Sequence, residues 1–68
     1  MVERVVRVGA PVGGQGRQVH VDGAAVGAVF SLRELAEIMR REGWADVDEV
    51  DVANSRDVEW HGGGAEVW

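Results

Sequence analysis

The sequence has no cysteine, lysine, threonine or tyrosine, and only one proline and one phenylalanine among its 68 residues. Without cysteine the chain can form no disulfide and no thiolate metal site, so packing or self-association must stabilise it. No apolar run approaches the roughly 20 residues of a membrane span, and the start of the chain lacks a signal-peptide core. We therefore expect one small cytoplasmic domain, residues 1–68, with no membrane contact.

Negative charge is concentrated in the second half of the chain. The net charge is −5: residues 1–34 carry four arginines against three acids, or +1, and residues 35–68 carry three against nine, or −6. An acidic half repels phosphate and favours a basic protein partner. Arg4, Arg7 and Arg17, beside His20, could form a small nucleic-acid patch, but no aromatic residues are interleaved among them. We expect these arginines to neutralise neighbouring acidic strands, without direct nucleic-acid binding.

Residues 30–44 predict an amphipathic helix. Ser31 and Glu34 have the spacing of a capping box, and Gly43 can close the helix in the left-handed conformation so that Trp44 folds back on Met39. An apolar stripe recurs at helical spacing between these ends: Leu32, Leu35, Ala36, Ile38 and Met39. This is the best-specified element of the sequence.

Two strands are predicted before the helix. Residues 2–8 and 17–22 have β-branched alternation, with Val6 and Val8, and then Val19 and Val21, on inward faces. The glycine-rich residues 9–16 form the loop between them, and Asp22-Gly23 is a turn signal. Residues 24–29 fit either a short third strand or an extended run into the helix.

Period-two alternation returns after Trp44. It predicts strands at 47–53, 58–60 and 65–68, joined by hairpin turns at 54–57 and at the glycines 62–64. Matching faces across these hairpins gives one surface under the helix and one facing outward. The inward surface comprises Val50, Val52, Val58, Trp60 and Val67. The outward surface comprises Glu49, Asp51, Glu59, His61, Glu66 and Trp68.

The predicted fold class is α+β, with a single amphipathic helix packed on a small mixed or antiparallel sheet. The element order is β-β-(β)-α-β-β-(β), in which the bracketed strands are uncertain, and it resembles the β-grasp plan. This is a resemblance of element order, and folds do not fix functions.

The sequence offers few candidates for a nucleophile or for a general acid and base. The two serines, Ser31 and Ser55, are explained by a helix cap and a turn, and carboxylates on a flat exposed sheet have no dry pocket to tune their pKa values. We therefore expect no enzyme activity and no cofactor. A divalent-metal or hydrolytic site around His61, with Glu49 and Glu66, is the least favoured alternative.

The sequence favours a protein-binding module, such as an inhibitor or accessory factor that masks a basic surface. The outward surface would dock on the basic partner, and Trp68 would anchor it, because tryptophan is enriched at interface hot spots. The alternative is a homodimeric structural or assembly protein that pairs through its C-terminal strand, residues 65–68.

Overall fold

The computed structural model describes residues 4–68. The chain folds as one four-stranded mixed sheet with two helices, so the predicted α+β class is confirmed. The elements are β1 (Val6–Val8), β2 (Arg17–Val21), β3 (Ala24–Val29), α1 (Leu32–Arg41), α2 (Glu49–Asn54) and β4 (Val58–Trp60). Within residues 4–68, neither helix has the length and apolar character needed to cross a membrane.

The first three strands form two consecutive antiparallel hairpins, in the order β1-β2-β3. The inward faces of β1 and β2 are as predicted. β1 is shorter than the predicted strand at 2–8: Arg4 and Val5 precede it, and residues 2–3 lie outside the described part of the chain. Asp22 and Gly23 have φ values of 51° and 88°, which is the type I′ geometry that matches strand twist. Residues 24–29, left open above, are the strand β3.

Helix α1 begins and ends where the sequence predicts. Ser31 Oγ accepts a hydrogen bond from the Glu34 amide at 3.2 Å, while the Glu34 carboxylate accepts from the Phe30 amide and not from the cap amide. At the other end Gly43 has a φ of 118°, and the Trp44 amide donates to the Met39 carbonyl at 2.9 Å. This closing bond is the Schellman arrangement.

Residues 47–53 do not form the predicted strand, and this prediction is wrong. Glu49–Asn54 is the short helix α2, which begins at a reciprocal capping box. The Asp48 carboxylate accepts from the Asp51 amide at 2.9 Å, and the Asp51 carboxylate accepts from the Asp48 amide at 3.1 Å. The two amides and the two carboxylates thus form hydrogen bonds with each other, which stabilises the first turn of the helix.

The prediction of hairpins that join strands at 47–53, 58–60 and 65–68 is also wrong. β4 pairs in parallel with β1, with Val6 opposite Val58 and Val8 opposite Trp60, and completes the sheet order β3-β2-β1-β4. A parallel neighbour needs a crossover connection, and the two helices between β3 and β4 lie within it. Residues 65–68 form no strand, so the predicted C-terminal pairing edge does not exist.

The core lies between one sheet face and the helices. The strands contribute a layer of valines, and the helices cover it with Leu35, Ala36 and Met39 from α1 and Val52 from α2. The valines are Val6, Val8, Val19, Val21, Val29 and Val58. One charged residue is also fully buried on this face: Arg17, which precedes Val19 and Val21 with the same inward orientation.

Candidate functional site

The six residues predicted to form one docking surface lie on different elements and do not share a sheet face, so the predicted outward sheet face is wrong. Glu49 and Asp51 lie in the first turn of α2. Glu59 and His61 lie on and just after β4, and Glu66 and Trp68 lie in the C-terminal segment, residues 61–68. They do not share a sheet face because residues 49–54 are helical and because β4 pairs with β1.

The outer face of the sheet carries charges of both signs. Arg7 is the register partner of both His20 and Glu59, and the Arg7 guanidinium lies 3.6 Å from the Glu59 carboxylate. His61 Nε2 lies 3.3 Å from the same carboxylate. Arg7 and Glu59 thus neutralise one another on adjacent strands, as expected for this arginine, and the face is mixed and not acidic.

Arg17 is the centre of a backbone cage that sequence analysis missed. Its side chain is 0% exposed, and all five of its N–H groups donate to main-chain carbonyls. The bonds run from Nε to Gly9 (2.7 Å), from Nη1 to Gly64 (2.8 Å) and Val67 (2.7 Å), and from Nη2 to His61 (3.1 Å) and Gly63 (2.7 Å). Four of the five carbonyls belong to residues 61–68, so this one cation fixes the C-terminal segment.

Two tryptophans flank the caged cation. The Arg17 guanidinium carbon lies 5.3 Å from the Trp60 ring centroid and 5.4 Å from that of Trp68, within cation–π range. The two rings meet edge to face, with centroids 6.1 Å apart and planes at 88°. Trp68 is therefore half-buried, with its Nε1 donating to Ala65 O at 2.7 Å, and the prediction that it projects outward is wrong.

The glycines at 62–64 let the chain wrap round this guanidinium and do not form a strand hairpin. Gly62 has a φ of 78°, and a Cβ there would collide with Ala10. Burial lowers the pKa of Arg17, while the nearby Glu66 carboxylate raises it. Arginine nevertheless remains protonated at neutral pH, because the ordinary pKa of its guanidinium lies far above 7. The cage is therefore cationic, and its role is structural.

A second arginine joins the chain start to the end of α1. The guanidinium carbon of Arg4 lies 4.0 Å from the centroid of the Trp44 ring. Arg4 Nη1 donates to the Glu42 carbonyl at 2.7 Å, and its Nε donates to the Asp22 carboxylate at 3.0 Å. The Val5 amide also donates to Asp22, and these two hydrogen bonds, the backbone one first, lower the pKa of that carboxyl. The side chains of Arg4 and Arg17 are thus both fixed by hydrogen bonds to other parts of the chain.

The protein's entire net charge lies in one segment. Residues 42–55 contain five acids and no arginine, for a charge of −5, while the remaining 54 residues hold seven acids against seven arginines. This segment comprises α2 and the loop before it, and its side chains Asp46, Asp48, Glu49 and Asp51 are exposed. The acidic residues are therefore concentrated in α2 and the loop before it, and not on a sheet face as predicted.

An apolar side chain projects from the middle of this acidic segment. Val50 is 68% exposed, whereas Val52, two residues on, is fully buried against the core. Beside Val50 a shallow cavity of about 310 Å³ opens between the helices, lined by Arg33, Ala36, Arg40, Asp48, Glu49 and Val50. An apolar centre with a charged rim is the usual anatomy of a protein–protein contact. We call Asp46, Asp48, Glu49, Val50 and Asp51 the α2 surface.

No family model, no curated protein and no solved structure matches the chain. The resemblance to the β-grasp plan concerned the predicted element order, and the observed order, β1-β2-β3-α1-α2-β4, has one strand after the helices. Among residues 4–68, no group of three or more histidine, aspartate or glutamate side chains is arranged to hold a metal ion.

Proposed function

We propose that the protein is a non-enzymatic binding module that docks its α2 surface on a basic region of another protein, as an inhibitor or accessory factor that masks that region. The observation that carries the proposal is the excess of acids in residues 42–55, which hold five acids and no arginine, and four of these acids belong to the α2 surface. Charge of one sign gathered in one place steers a partner of opposite charge and raises the association rate.

The α2 surface is also held ready for contact. Asp48 and Asp51 are fixed by the capping box, and Arg40 donates to the Val47 carbonyl at 2.7 Å, which ties the loop before α2 to α1. A preorganised surface loses less conformational entropy on binding. Val50, at its centre, supplies apolar area that a partner can bury.

Two matched variants test the proposal with a fluorescent peptide of alternating arginine and leucine as probe. D46N/E49Q removes two charges from the α2 surface and spares its capping box. E59Q/E66Q removes two charges from the sheet face and the C-terminal segment, so both variants have the same net charge. We expect D46N/E49Q to weaken binding about fivefold at low salt and E59Q/E66Q to leave it unchanged.

Val50→Ala should weaken binding as well, at low and at high salt, since it removes apolar contact and no charge. Equal weakening by the two charge variants would mean that only net charge matters, and the proposal would then be wrong. Affinity that does not fall as salt is raised would contradict it too, because contacts between exposed charges are screened.

A further inference from the structure

The strand β3 forms one edge of the sheet, which a bulge at Val26 guards in part. Within residues 4–68 it pairs only with β2, so its other side presents free backbone N–H and C=O groups. Its sequence, Ala-Ala-Val-Gly-Ala-Val, contains no charge and no proline, the residues that usually guard an edge strand. The opposite edge, β4, has only three residues and carries Glu59. β3 is therefore the edge at which another strand can be added.

A groove runs along this edge beside α1. Its volume is about 420 Å³, and it is lined on one side by residues 26–29 of β3 and on the other by Glu34, Glu37, Ile38 and Arg41 of α1. The charges are separated along its length: Glu34 and Arg41 are seven residues apart, which is about 10 Å along a helix. One end of the groove is thus acidic and the other is basic.

We infer that β3 pairs antiparallel with β3 of a second copy of this chain, across a two-fold axis, to form a homodimer with a continuous eight-stranded sheet. The two-fold axis reverses the direction of the second groove. The acidic end of each α1, which carries Glu34 and Glu37, then faces Arg41 of the second copy. A chain that is its own charge complement in this orientation fits a copy of itself better than a uniformly charged peptide.

Small side chains permit the close approach that this pairing needs. Ala25 and Ala28 are exposed on the outer sheet face, and Gly27 has no side chain to obstruct the incoming strand. Val26 is the extra residue of a bulge, since Gly27 lies opposite Val19 and Ala25 opposite His20. Pairing would cover both Val26 and the half-buried Ile38. The inferred dimer interface is therefore β3 and not residues 65–68, and it shares no residue with the α2 surface.

Sedimentation equilibrium of the full chain, from micromolar to millimolar concentration, tests the inference. We expect the wild type to dimerise and Ala28→Lys to weaken the dimer, because a lysine on an edge strand opposes pairing. Gln18→Lys is the matched control: Gln18 is the register partner of Ala28 on the same outer face, but one strand in from the edge. It should leave dimerisation unchanged.

A charge swap tests the two-fold orientation. Within each chain Glu37 also lies 3.7 Å from Arg33, an exposed pair that Glu37→Lys breaks in monomer and dimer alike. Glu37→Lys in addition places like charges together at both symmetric contacts and should raise the dimer dissociation constant about fivefold. The double variant E37K/R41E exchanges the charges and should restore the wild-type value. Circular dichroism checks that each variant remains folded.

A wild type that remains monomeric at millimolar concentration would overturn the inference, as would a dimer that A28K and E37K leave unaffected. If β3 amide resonances of such a monomer shift on addition of an extended peptide, the edge serves another partner and the homodimer is again excluded. None of these results bears on the α2 surface, whose binding to the basic peptide is measured separately.

Discussion

Replacing Arg17 by lysine should release the C-terminal segment and destabilise the whole protein. The guanidinium makes five hydrogen bonds to carbonyls, and an ammonium group has three donors, so at least two carbonyls lose their partner. A hydrogen bond to a charged group contributes about 1.5–3 kcal/mol, and water can reach part of the released segment. We therefore expect Arg17→Lys to lower the free energy of unfolding by about 3 kcal/mol.

That loss is large for this protein, because a 68-residue domain has a total stability of roughly 3–10 kcal/mol at about 0.05–0.15 kcal/mol per residue. Urea denaturation gives the change in stability, and amide hydrogen exchange at residues 61–68 shows whether the segment is released. Arg7→Lys is the control: the Arg7 side chain is 58% exposed and lies 3.6 Å from Glu59. It should cost less than about 0.5 kcal/mol.

The reasoning would be refuted if Arg17→Lys stayed within about 0.5 kcal/mol of the wild type and left exchange at residues 61–68 unchanged. A lysine could then satisfy the cage as well as arginine, and the planar five-donor geometry would have no special role. Loss of stability without faster exchange in the segment would place the damage elsewhere in the core.

Three further changes test local elements of the fold. Asp48→Ala removes the α2 capping box and should cost about 1–2 kcal/mol in urea denaturation, whereas the exposed neighbour Asp46→Ala should cost almost nothing; equal costs would contradict the capping role. Ser31→Ala should cost about 1 kcal/mol at the start of α1, and an unchanged denaturation midpoint would mean that the cap is dispensable. The lowered pKa of Asp22 makes its carboxylate stabilising above the ordinary pKa of about 3.9, with the contribution lost as pH falls through the lower folded value. The variant Asp22→Asn should remove that part of the acid dependence, and curves of stability against pH that match the wild type would refute it.

The N-terminal half of the fold could be predicted from sequence because its signals are local. Period-two valines, the Asp22-Gly23 turn and the Ser31 and Gly43 helix ends each specify their own neighbourhood, and the structure agrees with all of them. The strand at 24–29 could not be assigned from the sequence alone. Gly27 weakens its local strand signal, and its conformation is determined by pairing with β2.

The C-terminal half could not be predicted by alternation alone. Val50 and Val52 fit a strand, but they also fit a short helix that buries Val52 and exposes Val50. The deciding signal was the Asp48 and Asp51 spacing, which is that of a helix cap with an acid at the third position. Because residues 49–54 are helical, no hairpin partner remains for β4, and it pairs with β1 instead.

The burial of Arg17 could have been predicted from the sequence pattern. It shares the inward phase of Val19 and Val21, so strict alternation places it on the buried face. What the pattern could not supply was its partners, because four of them lie 44–50 residues away in the glycine-rich C-terminal segment. Trp68 was assigned to the exterior for the same reason: its neighbours are distant in the chain.

The most direct test of the proposed function is a map of where a basic partner touches the protein. ¹⁵N-labelled wild-type protein is titrated with the arginine and leucine peptide, and the amide shift changes are followed by residue. We expect the largest changes to fall on residues 46–52 and to become smaller as salt is added. Changes centred on Glu59, His61 and Glu66 would contradict it, as would changes spread evenly over the acidic residues.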